Sequence, residues 1–484
     1  MKQNSIKKNA IMNVIYTITN MVFPLITYPY VTRILSATGM GKVSFFTSVS
    51  NYAVMIGSLG ISTYGIRAVA KARDDKGRLS RVATELLILN SMITIIVVVL
   101  IALSVPFVDK FGAEPILLII NLLIVVATPF GLTWLYSGLE QYSYITKRNL
   151  IFKGISLVLV FLLVKKADDY PIYAALFAFS TIGSYLCNLI YSRKLVRFKI
   201  SKDLKYRYHF KPMLYLFASI LAVSVYTNLD TIMLGFINGD EAVGFYSVAS
   251  KVKWLLLSAV NAVSAVLLPR LSNYISNNEV EKYNQTLRKS VSFIFLITVP
   301  ISTYFVAEAG DSIILLGGNG YEPAIICMQF LMPILIISGF SNVTGNQILI
   351  PSGRDSYFMK AVVTGAIVDV ILNAALMPSL AATGAAIATL IAEMTQMSIQ
   401  FYYTRKEILK KVNKRSLLNA ILGSLIGVCI ILTLKKWIHF NALLSLTVTA
   451  IVFFGAYFLF LLFVKERYLV DIFSEIKRKF HKRS

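Results

Sequence analysis

Ten ionisable side chains lie inside apolar stretches of this sequence: Arg33, Glu85, Lys147, Arg148, Lys153, Asp230, Lys251, Lys253, Asp369 and Glu393. A charge held in hydrocarbon costs roughly 2.5–3.5 kcal/mol, so each needs a partner, a wet cavity or a route for its head to the surface. The cations outnumber the acids six to four. A site for organic cations would be expected to concentrate carboxylates. Phosphate oxygens instead accept charge-assisted bonds from Arg and Lys. The excess therefore leans toward an anionic, phosphate-bearing ligand.

The individual positions divide by depth. Arg33 lies near one end of its apolar stretch, where an arginine either snorkels or meets an anion. Lys147 and Arg148 lie about two turns inside theirs and Lys153 two turns deeper, so Lys153 is the hardest of the three to assign to the surface. Glu85 follows Arg81 by four residues and is expected to pair with it. Lys251 and Lys253 are two residues apart, so on a helix they point about 200° away from each other and cannot share one partner. Asp230 sits within reach of Lys251 if the helices bearing them are antiparallel neighbours. Such a pair either locks two helices or releases Lys251 to a passing anionic ligand. Asp369 and Glu393 read as ion-pair or ion-coupling carboxylates, Glu393 equally as a hydrogen-bonded structural one. Arg67 and Arg270 anchor helix ends or form a two-sided basic mouth.

The elements that carry these residues are set by composition. The chain has 484 residues, is 56% hydrophobic and only 15% charged. A soluble domain carries about 25% charged residues. About 20 apolar residues cross a ~30 Å hydrocarbon layer as a helix. Fourteen such spans are expected, near 9–33, 41–66, 81–107, 115–137, 142–164, 170–192, 212–236, 242–268, 286–307, 323–350, 356–377, 383–404, 416–436 and 441–464. The expected fold is an all-α polytopic membrane protein; ten-residue alternation, the mark of a membrane β-barrel, is missing. The net charge of +24 is distributed by side. Segments 2–8, 67–81, 193–211, 405–415 and 465–484 hold 30 Lys and Arg, while the alternate connections hold five against nine Asp and Glu. Basic connections face the cytoplasm. Both termini are therefore expected there, and nucleic acid is not an implied partner.

Two halves resemble each other. GMGKVSFFTSVS (39–50) aligns with GDEAVGFYSVAS (239–250), SGLEQY (137–142) with SGRDSY (352–357), and YSRK (191–194) with YTRK (403–406). The offset stays between 200 and 215 residues over six spans. An even offset gives a parallel repeat, and such transporters place the substrate path between the halves. The expected domains are a six-helix bundle at 1–196, a basic linker at 197–211, a second six-helix bundle at 212–406, two further helices at 407–464 and a basic amphipathic tail at 465–484. Linker and tail mix cations with apolar residues, as segments lying on anionic inner-leaflet lipid do. Cys187, Cys327 and Cys429 fall singly inside apolar spans, and His209, His439 and His481 are scattered, so no metal site or disulfide framework is expected. No nucleotide-binding or hydrolase motif occurs, and the chain is expected not to be an enzyme.

YPYVTRILSATGMGKV (28–43), STYGIRAVAKARDDK (62–76), NLDTIMLGF (228–236), VGFYSVASKV (243–252), LLPRLS (267–272) and ATGAAIATLIAE (382–393) together resemble the Wzx-type oligosaccharide flippases of the multidrug/oligosaccharidyl-lipid/polysaccharide exporter superfamily. The resemblance implies about fourteen spans in two bundles. It also implies passage of undecaprenyl-diphosphate-linked repeat units from the inner to the outer leaflet of a bacterial cell membrane. Polysaccharide polymerase machinery is then an implied partner, and no cofactor beyond possible coupling to H+, Na+ or the membrane potential. Related members flip lipid II or export cationic drugs by antiport. One departure stands out: Asp369 occupies a place in GAIVDVILNAALMP where the family pattern has Asn. On these grounds Arg33, Arg67, Arg148, Lys153, Lys251 and Arg270 are the candidate diphosphate contacts, and Asp230, Asp369 and Glu393 the candidate ion-pair or coupling groups. A drug antiporter is the alternative within transport. A membrane glycan polymerase would need a sizeable external catalytic loop, and no connection exceeds about 20 residues.

Overall fold

The computed structural model describes residues 6–199, 206–437, 441–466 and 468. The amphipathic tail beyond these, the middle of the basic linker, His439 and His481 lie outside the described residues. Helix accounts for 89% of the structure, with no strand among the described residues, so the all-α membrane fold expected from hydropathy is the observed one. Ten helices are long and apolar enough to cross a bilayer among the described residues. Two of them hold a sharp break: Ile6–Ser58 at Ser36 (φ 61°) and Asp355–Ile408 at Ala381 (φ 46°). Each is long enough for two passages. Tyr142–Leu163 spans 22 residues but carries Lys147, Arg148 and Lys153, and so falls outside the ten on charge.

Helix ends follow ordinary capping chemistry. Asp75 begins Lys76–Ser104 by accepting from the backbone N–H groups of Gly77 and Arg78 at 2.8 and 3.1 Å. Asn441 begins Ala442–Phe463 by accepting from Leu444 N–H at 2.9 Å. Each cap satisfies donors that the helix leaves open at its start. Helix Lys76–Ser104 shows why the fold needs lipid. Leu79, Ala83, Leu86 and Leu89 are buried, while Met92, Ile95, Ile96, Val99, Leu100 and Leu103 form an exposed apolar face. A water-facing stripe of that size would drive association; against lipid tails it carries no penalty.

The chain forms two compact units, Met1–Gly244 and Phe245–Ser484. In the first, helix Ile6–Ser58 packs against Tyr142–Leu163, Lys76–Ser104 and Pro115–Ala127. In the second, Val280–Ala307 packs on Lys414–Trp437 and Ile334–Asn342, and Asp355–Ile408 on Ala324–Leu331. Each unit also interrupts one helix where polar groups gather. Thr128–Gly131 tightens to a 3-10 turn after Pro115–Ala127, and Val343–Leu349 widens to a π-helix after Ile334–Asn342.

Candidate polar sites within the two units

In the first unit the three cations of Tyr142–Leu163 separate as a 3.6-residue period requires. Lys147 is exposed, Arg148 is buried and Lys153 is half-buried. Arg148 donates through Nη1 to the Asn188 side-chain oxygen, and its guanidinium carbon lies 5.9 Å from the Tyr144 ring centre. Asn188 in turn donates to the Gly131 carbonyl and accepts, on its own carbonyl, from the Tyr136 hydroxyl. Tyr144 donates to the Cys187 carbonyl at 2.9 Å and stacks on Tyr191 at 4.2 Å. The Nε of Arg148 is buried and has no hydrogen-bond partner among the described residues. Lys153 donates to Asn20 Oδ1 at 2.5 Å, and Asn149 reaches the same oxygen at 3.2 Å. Arg33 is exposed, its Nη1 donating to the Pro29 carbonyl at 2.6 Å. Arg67 is exposed as well.

Sequence reasoning missed Asn20 and Asn188, neutral residues that orient cations. It also placed Glu85 beside Arg81. The structure gives Glu85 a further partner: its carboxylate lies 2.7 Å from His209 Nε2, and the other ring nitrogen lies 2.7 Å from the Tyr64 hydroxyl. Glu85 and His209 are buried and Tyr64 is half-buried, so His209 is an internal residue. Asp230, of the same unit, is buried too. The acids of the short connections find lysines: Lys42 bonds Glu114, which also accepts from Tyr170 at 3.0 Å. Lys110 bonds Asp240 at 2.6 Å and the Gly235 carbonyl at 2.7 Å, over the Phe45 ring at 4.3 Å.

In the second unit Lys253 is buried and acts electrostatically on Glu393, whose Oε2 accepts from Ser338 at 2.9 Å. That supplies the partner that the sequence left open for Lys253. Lys251 is half-buried, as the 200° divergence demands. Asp369 and Asn373 are fully buried on the inner stripe of Asp355–Ile408. Arg270 is exposed, like Arg67. A further cluster had not been anticipated. Lys435 bridges Glu308 at 2.9 Å and Asp311 at 2.8 Å, and Ser445 donates to Asp311 at 2.5 Å.

An all-helical membrane protein that holds a buried arginine, Arg148, on a neutral amide has the architecture of a transporter. The comparisons give it a family. The polysaccharide biosynthesis protein model matches residues 6–275, more than half of the chain, and the chain belongs to that family. The MatE model matches residues 216–375. A protein of Escherichia coli K12 named as an O-antigen transporter is 22% identical over 409 residues, covering 83% of this chain and 97% of the relative. A protein of Haloferax volcanii named as the flippase AglR is 27% identical over 176 residues, 36% of this chain and 37% of its own. Among solved structures, the lipid II flippase MurJ in an inward closed conformation superposes with a TM-score of 0.78 at 14% identity, covering 94% of this chain and 99% of that one. An inward-facing multidrug resistance MATE transporter gives 0.59 at 14% identity, over 81% and 98%. The chain is similar to these in fold.

Proposed function

We propose that this protein flips a polyprenyl-diphosphate-linked oligosaccharide from the inner to the outer leaflet, for surface polysaccharide assembly, and does so without catalysis. The observation that carries the reading is how Arg148 is held: the neutral amide of Asn188 orients it. An amide positions a cation without cancelling its charge, and Arg148 keeps a buried Nε without an acceptor among the described residues. A diphosphate supplies the acceptors such a group lacks. Family membership and relatives named as transporters and flippases support the same reading.

In this proposal the chain crosses a bacterial cell membrane fourteen times with both termini cytoplasmic, in two repeat-related bundles, 1–196 and 212–406. Helices 407–464 are an addition, and the linker 197–211 and tail 465–484 lie on anionic inner-leaflet lipid. The exposed Arg67 and Arg270 receive the head group. Arg33, Arg148, Lys153 and Lys251 meet it in transit. Asp230, Asp369 and Glu393 hold ion pairs or couple transport to an ion. Polymerase machinery takes the flipped product. The second reading, a cation-coupled drug antiporter, is favoured by the MatE match over 216–375.

Deleting the gene separates the two. Surface glycan should be lost with no new sensitivity to cationic dyes; intact glycan with dye hypersensitivity would establish the antiporter. The role of Lys251 separates likewise. If it contacts the diphosphate, Lys251→Ala with Asp230→Ala gives a folded, inactive protein, while Lys251→Arg keeps part of the activity. Transport restored in the double variant would remove Lys251 from the site.

A further inference from the structure

The second unit carries a polar face that the diphosphate does not require. On helix Asp240–Ser276, Trp254, Ser258 and Asn261 fall within about 60° of one another around the axis. Trp254 and Asn261 are exposed, and Ser258 is half-buried. Asn346 donates to the side-chain oxygen of Asn342, and Asn342 donates to that of Asn261, so three amides form a ladder across three elements. Asn342 and Asn346 are half-buried, and Asn346 sits inside the π-helical segment Val343–Leu349. Such widened turns recur at functional sites.

This face does not suit lipid. An amide turned to hydrocarbon costs several kcal/mol, and Asn261 is exposed while bonded to Asn342. Trp254 lies fourteen residues after Asp240, roughly 21 Å along the axis, too deep for an interfacial tryptophan belt. Two cations border the face: Lys253, 5.5 Å from the Trp254 ring, acts on the carboxylate of Glu393, and Lys251, one turn before Trp254, is the residue proposed above for the diphosphate, so the amides adjoin the charged contact.

A sugar fits all of these features. Each hydroxyl donates and accepts at once, and a side-chain amide does the same, with two N–H groups and two lone pairs. Asn342 spends one donor and one acceptor within the ladder and retains one of each. The C–H face of a pyranose is apolar and packs on an aromatic ring. We propose that Trp254, Ser258, Asn261, Asn342 and Asn346 form a saccharide subsite that holds the glycan of the cargo by stacking and neutral hydrogen bonds. The inference rests on the flippase reading and assigns a separate part of the protein to the sugar.

The test uses the full-length protein in lipid nanodiscs and two probes. One is bare undecaprenyl diphosphate. The other is the lipid-linked glycan purified from membranes of cells deleted for this gene. The wild type should bind the glycan-linked lipid at least about tenfold more tightly, the worth of two good hydrogen bonds. Asn261→Leu combined with Asn342→Leu should abolish that advantage and leave affinity for the bare diphosphate unchanged. Trp254→Leu should reduce it several-fold, and Trp254→Tyr should retain most of it. Where the double variant fails to fold, Asn261→Leu alone, at an exposed position, should still lower the ratio. A folded variant that keeps the full sugar-dependent advantage overturns the subsite, as does a wild type with no such advantage. Failure of the wild type to bind either lipid, or absence of any glycan-linked lipid in the deletion strain, defeats the flippase reading itself and the subsite with it.

Discussion

Replacing Lys435 by Met tests whether the additional helices are docked by a buried charge cluster. Lys435 lies on Lys414–Trp437, and its ammonium serves two carboxylates, Glu308 at 2.9 Å and Asp311 at 2.8 Å. At an effective dielectric of about 20, each contact is worth roughly 6 kcal/mol in gross attraction. Desolvation removes most of that, and the lysine is about one-third exposed, so the net loss on truncation falls to about 2–3 kcal/mol. For a unit of this size that lowers the melting temperature by about 4–8 °C. The loss should depend on pH, and the sign follows from the two acids. Burial, only partly offset by Lys435, holds the Glu308 carboxyl above its usual range. Asp311 is held below its own, the bonds from Lys435 and Ser445 outweighing burial. A carboxyl raised by folding binds more protons folded than unfolded, so its contribution is favourable at low pH and is lost as pH rises. One lowered by folding contributes above its unfolded pKa and is lost on acidification. In the wild type the two trends oppose each other. Without Lys435 both carboxyls are pushed up, and the variant should regain stability as pH falls from 8 to 5. Thermal unfolding of the detergent-purified protein, followed by tryptophan fluorescence, measures it. Glu308→Gln added to Lys435→Met should recover most of the loss. A Lys435→Met protein as stable as the wild type at pH 8, or equally impaired at pH 5 and pH 8, would refute the reasoning.

Three other outcomes are expected. His209→Ala strips Glu85 of its buried partner and should cost about 3 kcal/mol in a melting experiment, and Glu85→Leu with His209→Leu should return much of it. Gly41→Ala would place a methyl 1.7 Å from the Asp240 carbonyl oxygen, so the two backbones must part; a loss of about 1–3 kcal/mol is expected, and an unchanged melting temperature would contradict the packing. In intact cells a cysteine at Asn319, an exposed loop position, should react with an impermeant maleimide, and one at Lys76 only after permeabilisation. Reaction at Lys76 from outside would invert the proposed orientation.

Hydropathy makes the helices legible because lipid imposes one length and one composition on every crossing. The breaks are harder to see. Ser36 and Ala381 adopt left-handed backbone without being glycine, and neither is flanked by the usual turn dipeptides. Yet both begin a shared run, SATG at 36–39 and AATG at 381–384, directly after a leucine. The run ends in glycine where space is tight: a Cβ at Gly384 would lie 2.6 Å from the Leu376 carbonyl oxygen. That signal was present in the sequence, but its meaning was not. Buried ion pairs were less legible still. Glu85 and His209 lie 124 residues apart, and Lys435 and Glu308 lie 127 apart. Local periodicity says which face is buried, not which distant helix meets it, and so the contact of Glu85 with His209 could not be read from the sequence.

The two units differ in how they manage polar groups, and that difference bears on the cargo. In the first unit, Arg148 sits against Asn188, which leaves its charge available. In the second, Lys253 has Glu393, and the adjoining face is built of amides and a tryptophan. A lipid-linked glycan has the same division: a doubly charged diphosphate at one end and neutral hydroxyls at the other. A site with free cations along the whole path would hold the diphosphate at every point and release it poorly. A stretch of neutral amides limits that trap, and hydrogen bonds to sugar hydroxyls, each worth about 1 kcal/mol, bind weakly enough to break during transit. Exchanging the two chemistries should therefore stall transport without preventing binding. An Asn342→Lys variant that binds the glycan-linked lipid more tightly while exporting less of it would show this directly. Equal or faster export by that variant would mean that charge is not what limits release.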